Sequence, residues 1–190
     1  MTVQTVTYRL TSSATLMQHN GQLADPLNKW SKLIKAISAK RKKTDADYAE
    51  MARLEFCGSL YMAPDGPVIP SFSINAMLVN AAKKFREGDM ARTGVFCFSH
   101  ARLNYEGPRT MDGLWAEERF RDARLVKVQT ARVVRTRPVF NDWTADITLD
   151  IDTTVVNPNR VNEWMDTAGR LIGLLEMRPT LGRFVPKQVA

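Results

Sequence analysis

Between Trp143 and Asp152 the sequence reads WTADITLDID, ten residues in which apolar and polar side chains alternate without a break. In an extended chain Trp143, Ala145, Ile147, Leu149 and Ile151 share one side, and Thr144, Asp146, Thr148, Asp150 and Asp152 share the other. That is the period of a strand with one face buried and one face in water. Such a strand belongs to an antiparallel sheet covered on one side, and the cover has to be supplied by other apolar elements of the chain.

The run before it, RLVKVQTARVVRTRPVF (residues 124–140), also reads as strand, yet it carries Arg124, Lys127, Arg132, Arg135 and Arg137. Asn141-Asp142 makes a tight turn, so a hairpin with 143–152 is expected. One arrangement turns Val126, Val128 and Val134 toward covering helices and leaves Lys127, Arg135 and Arg137 on the open face or its rim. In another the run overhangs as a hairpin arm, wet on both faces. Asp146, Asp150 and Asp152 on the neighbouring strand offer cross-strand partners that would neutralise part of the charge without any ligand.

The remaining elements follow from periodicity. Residues 3–17 alternate as a strand, and Asn20-Gly21 and Asp25-Pro26 break it. Leu27, Trp30, Leu33, Ile34 and Ile37 recur at three- and four-residue steps, an apolar helical stripe with Lys29, Lys32, Lys35 and Lys40 outside it. Lys40, Arg41, Lys42 and Lys43 end that helix, where cations suit the dipole. Thr44 then caps a second helix, about 45–57, with Asp45 and Asp47 in its first turn. A third helix begins at Ser71 or Ser73. Near the C-terminus, Val161, Trp164, Ala168, Leu171 and Ile172 form a further stripe, Gly173 closes it, and GRFVPKQV ends the chain as a strand.

Read in order, these elements predict a single α+β domain over 1–190 with a ferredoxin-like split βαβ core, an antiparallel sheet with helices on one face. The core comprises 1–57 and 123–190, and 58–122 is an inserted α/β segment. Trp30 and Trp164 are both expected in the sheet–helix core.

Charge narrows the function. Lysine and arginine number 27 against 20 acidic residues, a net +7, which favours a polyanionic partner. No apolar run reaches the ~18 residues of a membrane helix, and the N-terminus lacks a basic-then-apolar signal, so a cytoplasmic protein without membrane contact is expected. Cys57 and Cys97 lie far apart in apolar surroundings and read as buried thiols. There is no C-x-x-C and no H-x-x-x-H, so no metal is expected, and no P-loop, G-x-G-x-x-G or nucleophile elbow points to a cofactor or a hydrolase.

A split βαβ core with a basic central hairpin, followed by AGRLIGLLEMRPTLGRF between the last helix and last strand, resembles the RAMP proteins of CRISPR effector complexes. The likeness covers residues 123–188 and the first strand. It implies a ferredoxin-like fold, RNA-backbone contacts from a glycine-containing loop near the C-terminus, and subunits that stack along a strand. Here that loop keeps Gly169, Gly173 and Gly182, with Leu174, Leu175 and Glu176 in its middle. The phrases MQHNGQLADPLNKW, RTRPVFNDW and RPTLGRF also resemble small uncharacterised phage and prophage proteins, whose setting is the host cytoplasm.

The expectation is a non-catalytic protein that binds single-stranded RNA or DNA with little sequence specificity through a basic sheet face and hairpin. Candidate contacts are Lys40, Arg41, Lys42, Lys43, Arg124, Lys127, Arg132, Arg135, Arg137, Arg178 and Arg183, with Tyr105 and Trp115 as stacking rings. Two other classes stay open. One is a phage inhibitor or assembly subunit acting by protein–protein contact, for example on a host defence complex, or as a homo-oligomer. The other is a metal-independent RAMP-type ribonuclease, for which His19, in an exposed turn, is the candidate acid–base group.

Overall fold

The computed structural model describes residues 2–128 and 131–189, with the backbone alone at 127, 128 and 131. The strands are β1 (Val3–Ser12), β2 (Leu16–Met17), β3 (Met62–Ala63), β4 (Gly66–Ile69), β5 (Val95–Phe96), β6 (Ala101–Arg102), β7 (Arg121–Val128), β8 (Ala131–Phe140), β9 (Thr144–Asp152) and β10 (Phe184–Gln188). The helices are α1 (Lys29–Ser38), α2 (Asp45–Ser59), α3 (Ser71–Ala82), α4 (Gly88–Gly94), α5 (Met111–Ala116) and α6 (Pro158–Thr167). The chain is thus α+β, and its sheet pairs run antiparallel. It divides into two compact units, the first formed by residues 1–16, 66–106 and 140–190 and the second by 17–65 and 107–139.

In the first unit, β9 buries the set that its alternation predicts: Ala145, Ile147, Leu149 and Ile151, with Trp143 just ahead, are all at most 1% exposed. Its partner β1 matches it residue by residue, with Val6 opposite Leu149, Tyr8 opposite Ile147 and Leu10 opposite Ala145. The four-stranded sheet runs β10-β1-β9-β5. Helices α3 and α6 contribute Ile74, Met77, Leu78, Val161, Trp164 and Met165 to the core. Each such apolar side chain stabilises the fold by roughly 1.5–3 kcal/mol. The indole N–H of buried Trp164 donates to Glu87 Oε2 at 2.8 Å, beside the Arg160 Nε donor at 2.7 Å. Arg160 above all, with that indole bond, holds the Glu87 carboxyl below the usual carboxylate range. Helix α6 passes into a π-helical turn at Ala168–Ile172 and stops at Gly173, whose φ of +76° suits a residue without Cβ.

Two expectations give way here. The basic strand β8 does not pair with β9. Both edges of β9 are taken, one by β1 along nine residues and the other by β5 and the Asn104–Thr144 bridge. Nor do residues 26–57 belong to the unit that holds this sheet. Helix α3 and strand β5, from the segment expected as an insertion, occupy the first unit, while α1, α2, β7 and most of β8 lie in the second.

The second unit is built on α2, whose last turns from Leu54 to Ser59 are buried. Helix α1 packs on α2 where Gly58 leaves room; a Cβ there would stand 2.7 Å from Leu23 Cδ2 and 3.0 Å from Trp30 Cβ. No α1 residue is buried, and Leu27 and Leu33 are exposed. The stripe through Trp30 therefore rests on one helix rather than in a sheet–helix core. Phe56 of α2 meets the Trp115 ring edge-on at 5.3 Å. Cys57 and Cys97 are buried free thiols, and burial pushes Cys97 up to about 11. No helix among the described residues is long and apolar enough to cross a membrane.

Candidate nucleic-acid interface

The charge is divided as unevenly as the fold. The second unit holds sixteen Lys and Arg against ten Asp and Glu, a net +6, whereas the first holds eleven against ten. Nearly all of the excess that drew attention in the sequence therefore belongs to the α1–α2 and β7–β8 parts of the chain.

The α1–α2 connection carries Lys40 to Lys43. Thr44 caps α2 with a reciprocal box, its hydroxyl accepting from the Asp47 N–H while the Asp47 carboxylate accepts from the Thr44 N–H at 3.0 Å. Lys40 Nζ lies 2.5 Å from the same carboxylate. Hydrogen bonds from Lys40 and then Thr44 hold Asp47 down at about 2. Lys40 is thus committed to the cap, and Lys43 donates to the Lys40 carbonyl at 3.0 Å. Arg41 and Lys42 are exposed and have no carboxylate partner among the described residues. One turn into α2, Tyr48 is 59% exposed. The first turn of α2 stands clear of the core, whose contribution from this helix begins at Leu54, so the ring is available for stacking.

In the β7–β8 hairpin, Arg124 stands opposite Arg135, Asp122 opposite Arg137, Leu125 opposite Val134 and Lys127 opposite Arg132. Directly paired residues share a face. One face therefore gathers Asp122, Arg124, Arg135 and Arg137, and the other gathers Leu125, Val134 and Arg132. Leu125 and Val134 are 64% and 60% exposed, so Val134 does not turn toward helices. Arg124 forms a two-point ion pair with Asp122, which raises the guanidinium pKa further. Arg135 pairs with Glu55, a buried carboxylate that also accepts from the Thr136 N–H at 3.2 Å. The counter-ions of Arg124 and Arg135 are thus Asp122 and Glu55, whereas Asp146 is the counter-ion of Arg9. Arg132 is exposed and has no carboxylate partner among the described residues; the side chain of Lys127 lies outside them.

Glu55 anchors the hairpin base. Glu55→Leu leaves the Arg135 guanidinium and a backbone N–H without their acceptor. Because the Arg135 side chain is 36% exposed, solvent screens part of the loss, and the expected cost is about 1–2 kcal/mol in urea unfolding.

The open face of the four-stranded sheet is not basic. It presents Thr5, Thr7 and Arg9 from β1 against Asp150, Thr148 and Asp146 from β9. Arg9 grips Asp146 through two hydrogen bonds of 2.8 Å, and Thr5 donates to Asp150 at 2.7 Å. The strand β8 pairs with β7 and is not a strand of this sheet, so its arginines are not on this face.

The expected stacking rings are also engaged. Tyr105 is 8% exposed and packs on Phe140 at 4.8 Å. Trp115 has Phe56 at its edge and the Arg121 guanidinium 4.8 Å above its centroid. Outside the second unit, Phe96 and Phe98 stack at 5.7 Å with Phe98 72% exposed. The alternation in VFCF, with Val95 and Cys97 buried, was the available signal for this pair.

Arg178 and Arg183 lie in the loop between the π-helical turn and β10, in the first unit. Arg183 Nε donates to the Pro179 carbonyl at 2.9 Å. The loop closes at its neck, where Leu174 N–H donates to the Gly182 carbonyl at 2.9 Å and Gly182 N–H to the Thr15 carbonyl at 2.8 Å. A Cβ on Gly182 would stand 2.0 Å from Leu174 O. That glycine serves a close backbone contact.

His19 is half-buried rather than in an open turn; its carbonyl accepts from Tyr61 Oη at 3.2 Å and its ring Nδ1 is 3.5 Å from Ser59 Oγ. His100, in the first unit, accepts the Ser71 N–H at 3.1 Å at the start of α3, whose own cap residue, Pro70, has no side-chain bond to offer. Compared with known proteins, the chain matches no family model and no curated protein.

Proposed function

We propose that the protein is a non-catalytic binder of single-stranded nucleic acid, with its second unit as the contact surface. The observation that carries this reading is the net +6 of that unit together with Arg41, Lys42 and Arg132, exposed cations with no carboxylate partner among the described residues. Guanidinium groups on a hairpin and at a helix end suit phosphate geometry, and Tyr48 supplies a ring for an unpaired base. The strand order β10-β1-β9-β5, with α3 and α6 contributing to its core, supports a split βαβ reading of the first unit, the core that the RAMP resemblance implies. On that reading the host-cytoplasm setting and side-by-side assembly along the strand follow as parts of the same proposal.

The test is a titration of labelled oligo(dT) and oligo(U) of about 20 nucleotides, and of a duplex of the same length, at about 50 mM salt. Micromolar or tighter binding of the single strands, and weaker binding of the duplex, is the expected outcome. Saturation by neither single strand would end the proposal. Contact with a protein partner is the second reading, favoured by the exposed Leu125–Val134 pair on the hairpin.

A further inference from the structure

The first unit contains an open cleft of about 710 Å³ between the C-terminal end of α3 and the loop that follows the π-helical turn. We propose that this cleft binds an acidic peptide segment with aliphatic anchor residues, presented by a partner protein. The proposal does not rest on nucleic-acid binding by the second unit.

Lys83 and Lys84 line one wall and Arg178 the other, against one lining carboxylate, Glu176. Both lysines and Arg178 are exposed. Between them the surface is aliphatic: Leu171, Leu175 and Met177 contribute, with Leu171 47% and Met177 39% exposed. Burial of these two side chains is therefore still to be gained, and a partner that covers them gains it.

The combination selects the occupant. Among the described residues no aromatic ring lines the cleft, so a nucleobase finds no stacking platform there. The nearby Phe85 ring has the Arg160 guanidinium 4.4 Å over its centroid. Aliphatic walls with cations at the rim match a segment in which Leu, Ile or Met is flanked by Asp or Glu. The cleft is also preformed. The neck bonds from Leu174 and Gly182 fix the base of the loop, and the Gly173 N–H donates to the Ala168 carbonyl at 2.8 Å. A preformed groove loses less conformational freedom on binding than one ordered by its ligand.

The experiment pans a displayed random library of about 12-residue peptides against the full chain, then compares wild type with the Lys84→Glu/Arg178→Glu double variant. Both residues are exposed, so the double variant is expected to keep the wild-type melting curve. Enriched peptides should carry Asp or Glu on both sides of Leu, Ile or Met. A labelled synthetic copy should bind the double variant at least about tenfold more weakly, and Leu171→Ser should weaken it too. Oligo(dT) affinity should change by less than about twofold in the same variants. No enrichment, enrichment of basic peptides, or equal binding by the double variant would overturn the proposal. So would displacement of the peptide by stoichiometric oligo(dT), which would assign the cleft to the nucleic-acid path.

Discussion

Alanine at Arg41, Lys42 and Arg132 together lowers the affinity for oligo(dT) by about two to three orders of magnitude at about 50 mM salt, with the fold unchanged. The estimate follows from counterion release: each phosphate contact on a single strand contributes about a decade at that salt concentration. The three residues are chosen because they are exposed and no described carboxylate engages them. Arg124 and Arg135 make the opposite control. They are paired with Asp122 and Glu55, so their removal disturbs the hairpin as well as any contact, and a loss there would not separate binding from folding. Electrophoretic shift or anisotropy with purified variants reads the difference, and a triple variant within about threefold of wild type would remove the second unit from the interface.

Trp143→Ala is the largest stability change expected. The indole is fully buried, and its Nε1 donates to the Ala14 carbonyl at 3.0 Å. The ring stands edge-on to Phe184 at 6.4 Å, and the Trp143 carbonyl accepts from the Ser12 N–H at 2.9 Å. The side chain thus ties the start of β9 to the Ala14 carbonyl just after β1 and to the start of β10, while the backbone bond to Ser12 is kept in the variant. Removing it combines lost apolar burial, a cavity and the loss of a hydrogen bond to the half-buried Ala14 carbonyl, for about 3–5 kcal/mol. Urea or thermal unfolding should show this as a fall in melting temperature of about 10 °C. A change below about 1 kcal/mol would mean that this corner is looser than the packing implies.

What could be read in the sequence depended on whether the cause was local. The β9 alternation was legible because each of its faces meets one environment along its whole length, and Val161, Trp164 and Ala168 of the last stripe for the same kind of reason; Leu171, in the π-helical turn, is 47% exposed instead. The strand that pairs with β9 was not legible. The Asn141-Asp142 turn points to β8, but β1, over 130 residues away, offers Val6, Tyr8 and Leu10 in register and takes that edge. Strand β5 has two residues, too few for any periodicity to declare.

The site shows the same division. The basic run 40–43 and the arginines of β7 and β8 stand out in the sequence. Their counter-ions do not, because Glu55 reaches Arg135 across 80 positions, and a buried Glu in a helix has no local mark. Tyr105 and Trp115 looked available because they sit in loop-rich sequence; Phe140, Phe56 and Arg121, which cover them, become neighbours only through tertiary packing. The exposure of Tyr48 has no local mark either, because helical spacing alone does not tell which turn of a helix extends beyond its support.

A salt series on wild type and the Arg41, Lys42 and Arg132 triple variant is the most direct measurement of the central claim. The logarithm of the oligo(dT) association constant should fall linearly with the logarithm of salt concentration, and the slope should be shallower by about 2 in the variant, near 0.7 for each cation removed. Parallel lines for the two proteins, or a wild-type affinity indifferent to salt, would contradict it.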